Sequence, residues 1–188
     1  MLYTRKGDHG TTRDFVRGQP RISKASDLPE ALGTLDELNS FLGVCKARGA
    51  REPFLVPNGK RSMRAVRVLQ DVQETLFIVQ AQVAGAPKKV GRGKVDAIER
   101  LTDSIEKTLP PITSFTIAGA TELSALLDVA RTLARRAERR LVGIHETGQR
   151  PLTKHTLAYA NRLSSLLFAL ARLASNQSGA RERAPRYR

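Results

Sequence analysis

Apolar residues recur at three- and four-residue intervals through five stretches of the chain, which is the period of helices buried along one side. Leu32, Leu35, Leu38 and Leu42 predict the first helix. Asp27 is its expected N-cap, Pro29 fits its first turn, and it ends near Arg48-Gly49. Residues 49–60 hold two prolines and two glycines and read as a loop. Val66, Leu69, Val72, Leu76, Val79 and Val83 predict a second helix from Ser62 to about Ala84, stopped by Gly85-Ala86-Pro87. After a basic, glycine-containing loop at 88–94, Val95, Ile98, Leu101 and Ile105 share one face of a third helix over 94–109, which stops at Pro110-Pro111. Residues 112–120 form a β-branched patch ending in a small-residue turn. Thr121 then caps a long fourth helix to about His145, with Leu123, Leu127, Ala130, Ala134, Ala137 and Leu141 inward. The fifth runs from about Thr153 to Ser175 on Leu163, Leu166, Leu167, Leu170 and Leu173.

Two segments lack this period. Residues 1–29 read as an ordered N-terminal loop with a short extended piece at Leu2-Tyr3-Thr4, and residues 176–188 read as a basic, mobile tail. The expected architecture is all-α: a five-helix bundle in one domain over 1–175, with the loop at 1–29 and the bundle at 30–175.

Composition narrows the class. A chain of 188 residues with 40% hydrophobic content can bury a core, so a disordered reading is excluded. The single cysteine, Cys45, forms no intramolecular disulfide. With the first motif starting at Tyr3 and no apolar run near the ~20 residues of a membrane span, the expectation is a cytoplasmic protein. The net charge of +14 favours anionic ligands or reflects a solvated basic surface.

Candidate chemistry falls in four places. Arg131, Arg135, Glu138 and Arg139 share a face of the fourth helix, with Arg136 and Arg140 beside them. Five arginines in ten residues suit a polyphosphate, because the guanidinium fork bonds phosphate oxygens in pairs; the alternative is a solvated face paired to Glu138. In the loop, Thr4-Arg5-Lys6-Gly7-Asp8-His9-Gly10-Thr11-Thr12-Arg13 has two glycines that let amides face an anion, or forms an ordinary turn. Gly33, Asp36 and Asn39 place small or polar groups on one face of the first helix. Asn161 lies mid-helix among leucines and wants a partner. His9, His145 and His155 share no ligand spacing, and there is no Walker A segment, zinc pattern or nucleophile elbow. At 5% aromatic and no Trp, a base-stacking platform is not expected.

The order of these pieces is more specific than any one of them. YTRKGDHGTTR followed by Lys24, then EALGTLDELNSFLG, RTLARRAER and YANRLSSLLF, resembles the PduO-type ATP:cob(I)alamin adenosyltransferases over about residues 3–173. The resemblance implies a homotrimer with active sites between subunits. Each site would move the 5′-deoxyadenosyl group of ATP to the cobalt of cob(I)alamin, with Mg²⁺ on the phosphates. It implies ATP contacts at Thr4, Arg5, Lys6, Gly7, Thr12, Arg13, Lys24, Arg135, Arg136, Glu138, Arg139 and Asn161. It further implies an intersubunit ion pair of Asp36 with Arg131, and Phe115 under the corrin ring, where it excludes a lower cobalt ligand and eases reduction of Co(II). A flavoprotein reductase is a candidate electron donor; a membrane or nucleic-acid partner is not expected.

Three segments depart from the family pattern. Ile117-Ala118-Gly119-Ala120 stands where the family has L-P-G-G, Ser165 where it has Asp, and Leu76-Phe77-Ile78-Val79-Gln80 where it has L-F-D-I-G. They touch the corrinoid side or helix packing, and they motivate the alternative of a diverged ATP or adenosylcobalamin sensor or carrier. A basic nucleic-acid binder, suggested by the charge and the tail RERAPRYR, is the third reading.

Overall fold

The computed structural model describes residues 3–16 and 18–187. Its order is β1 (Thr11–Arg13), β2 (Arg21–Ser23), α1 (Asp27–Arg51), β3 (Leu55–Asn58), β4 (Arg61–Arg64), α2 (Ala65–Val83), α3 (Arg92–Glu106), α4 (Glu122–Glu146) and α5 (Lys154–Gln177). The five expected helices are all present. Ser26, not Asp27, occupies the N-cap position of α1. Thr121 caps α4 as expected, in a reciprocal pair with Ser124: Thr121 Oγ1 accepts from the Ser124 amide and Ser124 Oγ accepts from the Thr121 amide.

Two antiparallel hairpins were not expected. Residues 49–60, read as a loop, contain β3, which pairs with β4 with Asn58 opposite Arg61. Gly59, the first residue of the two-residue turn, sits at φ 61°, which a side chain would oppose. The other hairpin pairs Thr11 with Ser23 and Arg13 with Arg21. Of the extended piece expected at Leu2-Tyr3-Thr4, Leu2 lies outside the described residues, and Tyr3 and Thr4 belong to no strand.

The helices pack in the order α2, α1, α4, α5, α3. α5 also reaches α2, where Thr156 Oγ1 donates to Gln82 Oε1 at 2.6 Å; Tyr159, one turn on, is buried, and burial pushes its pKa up to about 12. The fully buried side chains include Leu35, Leu38, Leu42, Leu127, Leu141, Leu163, Leu166 and Leu170, the stripes that the helical period marks. Each contributes about 1.5–3 kcal/mol by leaving water. Cys45 is inside this core, and burial raises its thiol to about 11, which leaves it protonated and unreactive near neutral pH.

α1 and α4 are antiparallel. Arg48 pairs with Glu122 at 3.0 Å, Arg136 with Glu37, and Arg140 with Glu30 at 3.4 Å. On the inward side of α4, Ala130, Ala134 and Ala137 are all buried; such small side chains allow close approach of neighbouring helices, with Arg136 and Arg140 toward α1 and Arg131 and Arg135 toward α5.

The tail, expected to be mobile, starts after α5 ends at Gln177 and turns back onto the body: the Ile117 amide donates to the Arg183 carbonyl at 2.8 Å.

Candidate functional site

The seam between α4 and α5 carries a cleft of about 420 Å³, lined by Arg131 and Arg135 of α4, Ser165 and Phe168 of α5, and Phe115 and Ala118 of the loop before α4. Arg131 is held from two sides. Its Nε donates to Asp128 Oδ1 at 3.0 Å, and its guanidinium lies 5.9 Å from the centre of the Phe168 ring. Phe115 is 80% exposed, an apolar ring with no core to fill. An apolar wall facing fixed cations fits a flat apolar ring bound next to a polyanion.

The ridge continues toward the N-terminus of α5. Glu138 Oε1 accepts from Asn161 Nδ2 at 2.7 Å, which supplies the partner that a mid-helix asparagine wants. Arg162 Nε donates to Glu99 at 3.0 Å. Arg136 is paired with Glu37, while Arg139 and Arg135 are exposed, Arg139 donating to the Arg135 carbonyl at 3.2 Å. Arg135 and Arg139 make no ion pair among the described residues, so both guanidiniums are available to an anion.

The N-terminal loop is built separately. Lys24 Nζ donates to the Gly7 carbonyl at 2.9 Å, and a Cβ on Gly7 would stand 2.9 Å from that ammonium, so a side chain there would push the lysine off the turn. Arg21 clasps the same turn, with Nε on Thr11 Oγ1 at 2.8 Å and its other nitrogen on the Lys6 and Thr11 carbonyls. Arg13 donates to Gln19 Oε1 at 3.0 Å. Arg5 has a φ of 58°, a left-handed conformation that costs a non-glycine residue energy and holds the turn open. Thr4, Lys6 and Arg13 are exposed and Thr12 is half-buried.

One ion pair ties this loop to the body. Arg150 and Asp14 meet at 2.7 Å with side chains only 12% and 14% exposed. Asp14→Ala is expected to destabilise the protein by about 2–3 kcal/mol, because it strands a nearly buried guanidinium. Chemical denaturation together with limited proteolysis near residue 10 checks this: a wild-type midpoint and an uncut loop would show that the pair does not hold the segment.

Within the chain, the loop and the arginine ridge stay apart: among the described residues no hydrogen bond or ion pair joins residues 3–24 to Arg131, Arg135, Arg136, Glu138, Arg139 or Asn161. Asp36 is exposed and makes no ion pair among the described residues. The antiparallel register sets Arg131 roughly one helical turn further along α1 than Asp36, out of reach within one chain. The expected polar face of α1 is also broken up. Asn39 is buried, its backbone carbonyl accepting from Gln73 Nε2 of α2 at 2.9 Å, while Gly33 and Asp36 are exposed. Asp128 and Glu37 were not anticipated as partners of the arginines. The i,i+3 spacing of Asp128 and Arg131 is a readable signal; the Glu37–Arg136 pair depends on the helix register and is not.

The family profile described as cobalamin adenosyltransferase matches residues 2–174. The corrinoid adenosyltransferase PduO of Citrobacter freundii is 40% identical over 91% of the chain, which spans about half (49%) of that relative's length. A second corrinoid adenosyltransferase of Citrobacter freundii is 37% identical, with 92% of this chain and 93% of the relative covered. The corrinoid adenosyltransferase of Bacillus subtilis is 34% identical, covering 95% and 88%. Among solved structures, a phenylalanine-to-alanine variant of the PduO-type ATP:corrinoid adenosyltransferase of Lactobacillus reuteri, complexed with cobalamin and ATP, superposes with a TM-score of 0.81. It is 27% identical and covers 99% of both chains.

Proposed function

We propose that this chain, which belongs to the cobalamin adenosyltransferase family, transfers the 5′-deoxyadenosyl group of ATP to the cobalt of cob(I)alamin. The Co(I) electron pair attacks C5′ and becomes the Co–C bond, the C5′–O bond to the α-phosphate breaks, and triphosphate leaves with the C5′–O bonding pair. No protein nucleophile or base is required. The protein's work is to hold C5′ in line and to neutralise the leaving group. The observation that carries this reading is the cleft, which the exposed Phe115 ring lines together with Arg131 and Arg135. The corrin would lie on Phe115, and the triphosphate along Arg135 and Arg139, with Asn161 and Glu138 at the nucleoside end. Arg136 would join them on exchanging its Glu37 partner for phosphate.

The separation of loop and ridge favours a site shared between subunits. In the homotrimer we propose, Thr4, Arg5, Lys6, Gly7, Thr12, Arg13 and Lys24 of one subunit wrap the ATP on the ridge of the next, and Asp36 of one meets Arg131 of the other. Mg²⁺ enters as the counter-ion of the ATP phosphates. Reduction of Co(II) needs an electron donor, and a flavoprotein reductase fits that role. A lone buried thiol agrees with a cytoplasmic setting, and no helix among the described residues is long and apolar enough to cross a membrane.

The reading is tested anaerobically with ATP, Mg²⁺ and chemically reduced cob(I)alamin, following the spectral change on Co–C bond formation. Adenosylcobalamin with stoichiometric triphosphate is the expected result. ATP binding without turnover would instead favour a sensor or carrier. That second reading draws on Ala118 and Ser165, two departures from the family pattern that both line the cleft.

A further inference from the structure

Arg172 is a charged side chain in a stretch of α5 that is otherwise leucine, alanine and serine, and it is only 8% exposed. A buried guanidinium is stable only if its donors are satisfied. Its Nε lies 3.2 and 3.1 Å from the two carboxylate oxygens of Glu182, in the tail, and its NH2 nitrogen donates to the Pro110 carbonyl at 3.0 Å. One residue beyond Glu182, the Arg183 carbonyl accepts from the Ile117 amide at 2.8 Å, forming an isolated antiparallel bridge. The tail therefore grips the loop between α3 and α4 at both ends: through Arg172 at Pro110 and through Arg183 at Ile117. Phe115 lies between the two grips. The loop has no helix or strand of its own to fix it, and a cavity of about 400 Å³ separates it from the tail. The same loop, through Ile112, Ser114, Phe115, Thr116 and Ala118, is also a wall of the cleft at Arg131 and Arg135.

We propose that residues 180–184 are a latch, with Arg172 and Glu182 as positioning residues, that fixes the 110–118 loop and thereby sets where Phe115 stands for the corrinoid. The inference rests on the adenosyltransferase reading. It assigns the basic tail a role at the corrinoid side of the site and none at the ATP side. Neither Arg172 nor Glu182 touches the cleft; both act through the loop.

The test uses the full chain, Glu182→Gln, and a chain ending at Gly179. The shortened chain opens Arg172 to water, so its charge is solvated and the fold survives even if Glu182→Gln is destabilised. Three quantities are read for each: the ATP dissociation constant, the cob(II)alamin dissociation constant with ATP bound, and the EPR signal of cob(II)alamin that has lost its lower ligand. In both variants the corrinoid constant is expected to rise about tenfold, the effect of losing one charge-assisted hydrogen bond. The EPR signal falls with it, ATP affinity stays within twofold, and the Ile117 amide exchanges faster. A merely structural role would weaken ATP and corrinoid together and would leave the EPR signal of the bound fraction unchanged; that result overturns the latch, as does wild-type corrinoid affinity in both variants. If the wild-type chain itself forms no adenosylcobalamin, the adenosyltransferase reading fails, and the latch fails with it.

Discussion

Arg135→Ala is expected to slow adenosylcobalamin formation by about 10²–10³-fold, the usual loss when one preorganised charge facing a developing negative charge is removed. The same substitution is expected to leave the fold intact. Arg135 is exposed, and its side chain makes no ion pair among the described residues, so its removal orphans no partner and costs roughly 0.5 kcal/mol or less. The neighbouring arginines are poorer probes. Arg131→Ala would strand Asp128, and Arg136→Ala would strand Glu37, so loss of activity in either would mix catalysis with packing. Arg135→Lys keeps the charge and loses the planar fork, and its rate is expected between wild type and Ala. Steady-state rates with cob(I)alamin, alongside thermal melts, decide it. Full activity in Arg135→Ala would remove the α4 ridge from the site.

The bundle was legible because its determinant is local. A leucine or alanine every three or four residues specifies both a helix and its buried face, and Leu127, Ala130, Ala134 and Ala137 are buried as that spacing requires. What escaped was short or non-local. The hairpin at Leu55–Asn58 and Arg61–Arg64 turns on Gly59-Lys60, a readable turn signal, yet Pro57 and strands of four residues hide the alternation. The tail has no apolar period, so it looked loose. It is fastened by the Arg172–Glu182 pair and the Ile117–Arg183 bridge, neither of which leaves a mark in local sequence. The candidate site divides the same way. The spacing of Arg131, Arg135 and Arg139 alone sets them on one face of the fourth helix. The pairing of Arg136 with Glu37, 99 residues away, follows only from the register of α1 against α4.

Phe115→Ala is expected to separate two steps that the wild-type protein joins. Phe115 is 80% exposed and fills no core, so its truncation takes little from stability; the cost of 3–5 kcal/mol typical of a buried Phe→Ala does not arise. What is lost is an apolar part of the wall of the cleft that Arg131 and Arg135 also line. If the ring excludes water and a lower ligand from cobalt, its removal raises the barrier to making Co(I), because the apolar shell around a metal sets its ligation and potential. It leaves the attack of Co(I) on C5′ to the ATP-side residues. Starting from cob(II)alamin and an external reductant, the rate is expected to fall about a hundredfold, at the upper end of effects from residues just outside a metal's ligands. Starting from cob(I)alamin made beforehand, it falls only severalfold. The EPR signal of four-coordinate cob(II)alamin disappears in step with the first rate and not the second. An equal loss from both starting points would mean that Phe115 contributes only binding surface. Unchanged rates from both would take the corrinoid away from this face, even though Arg131, Arg135 and Phe168 line it.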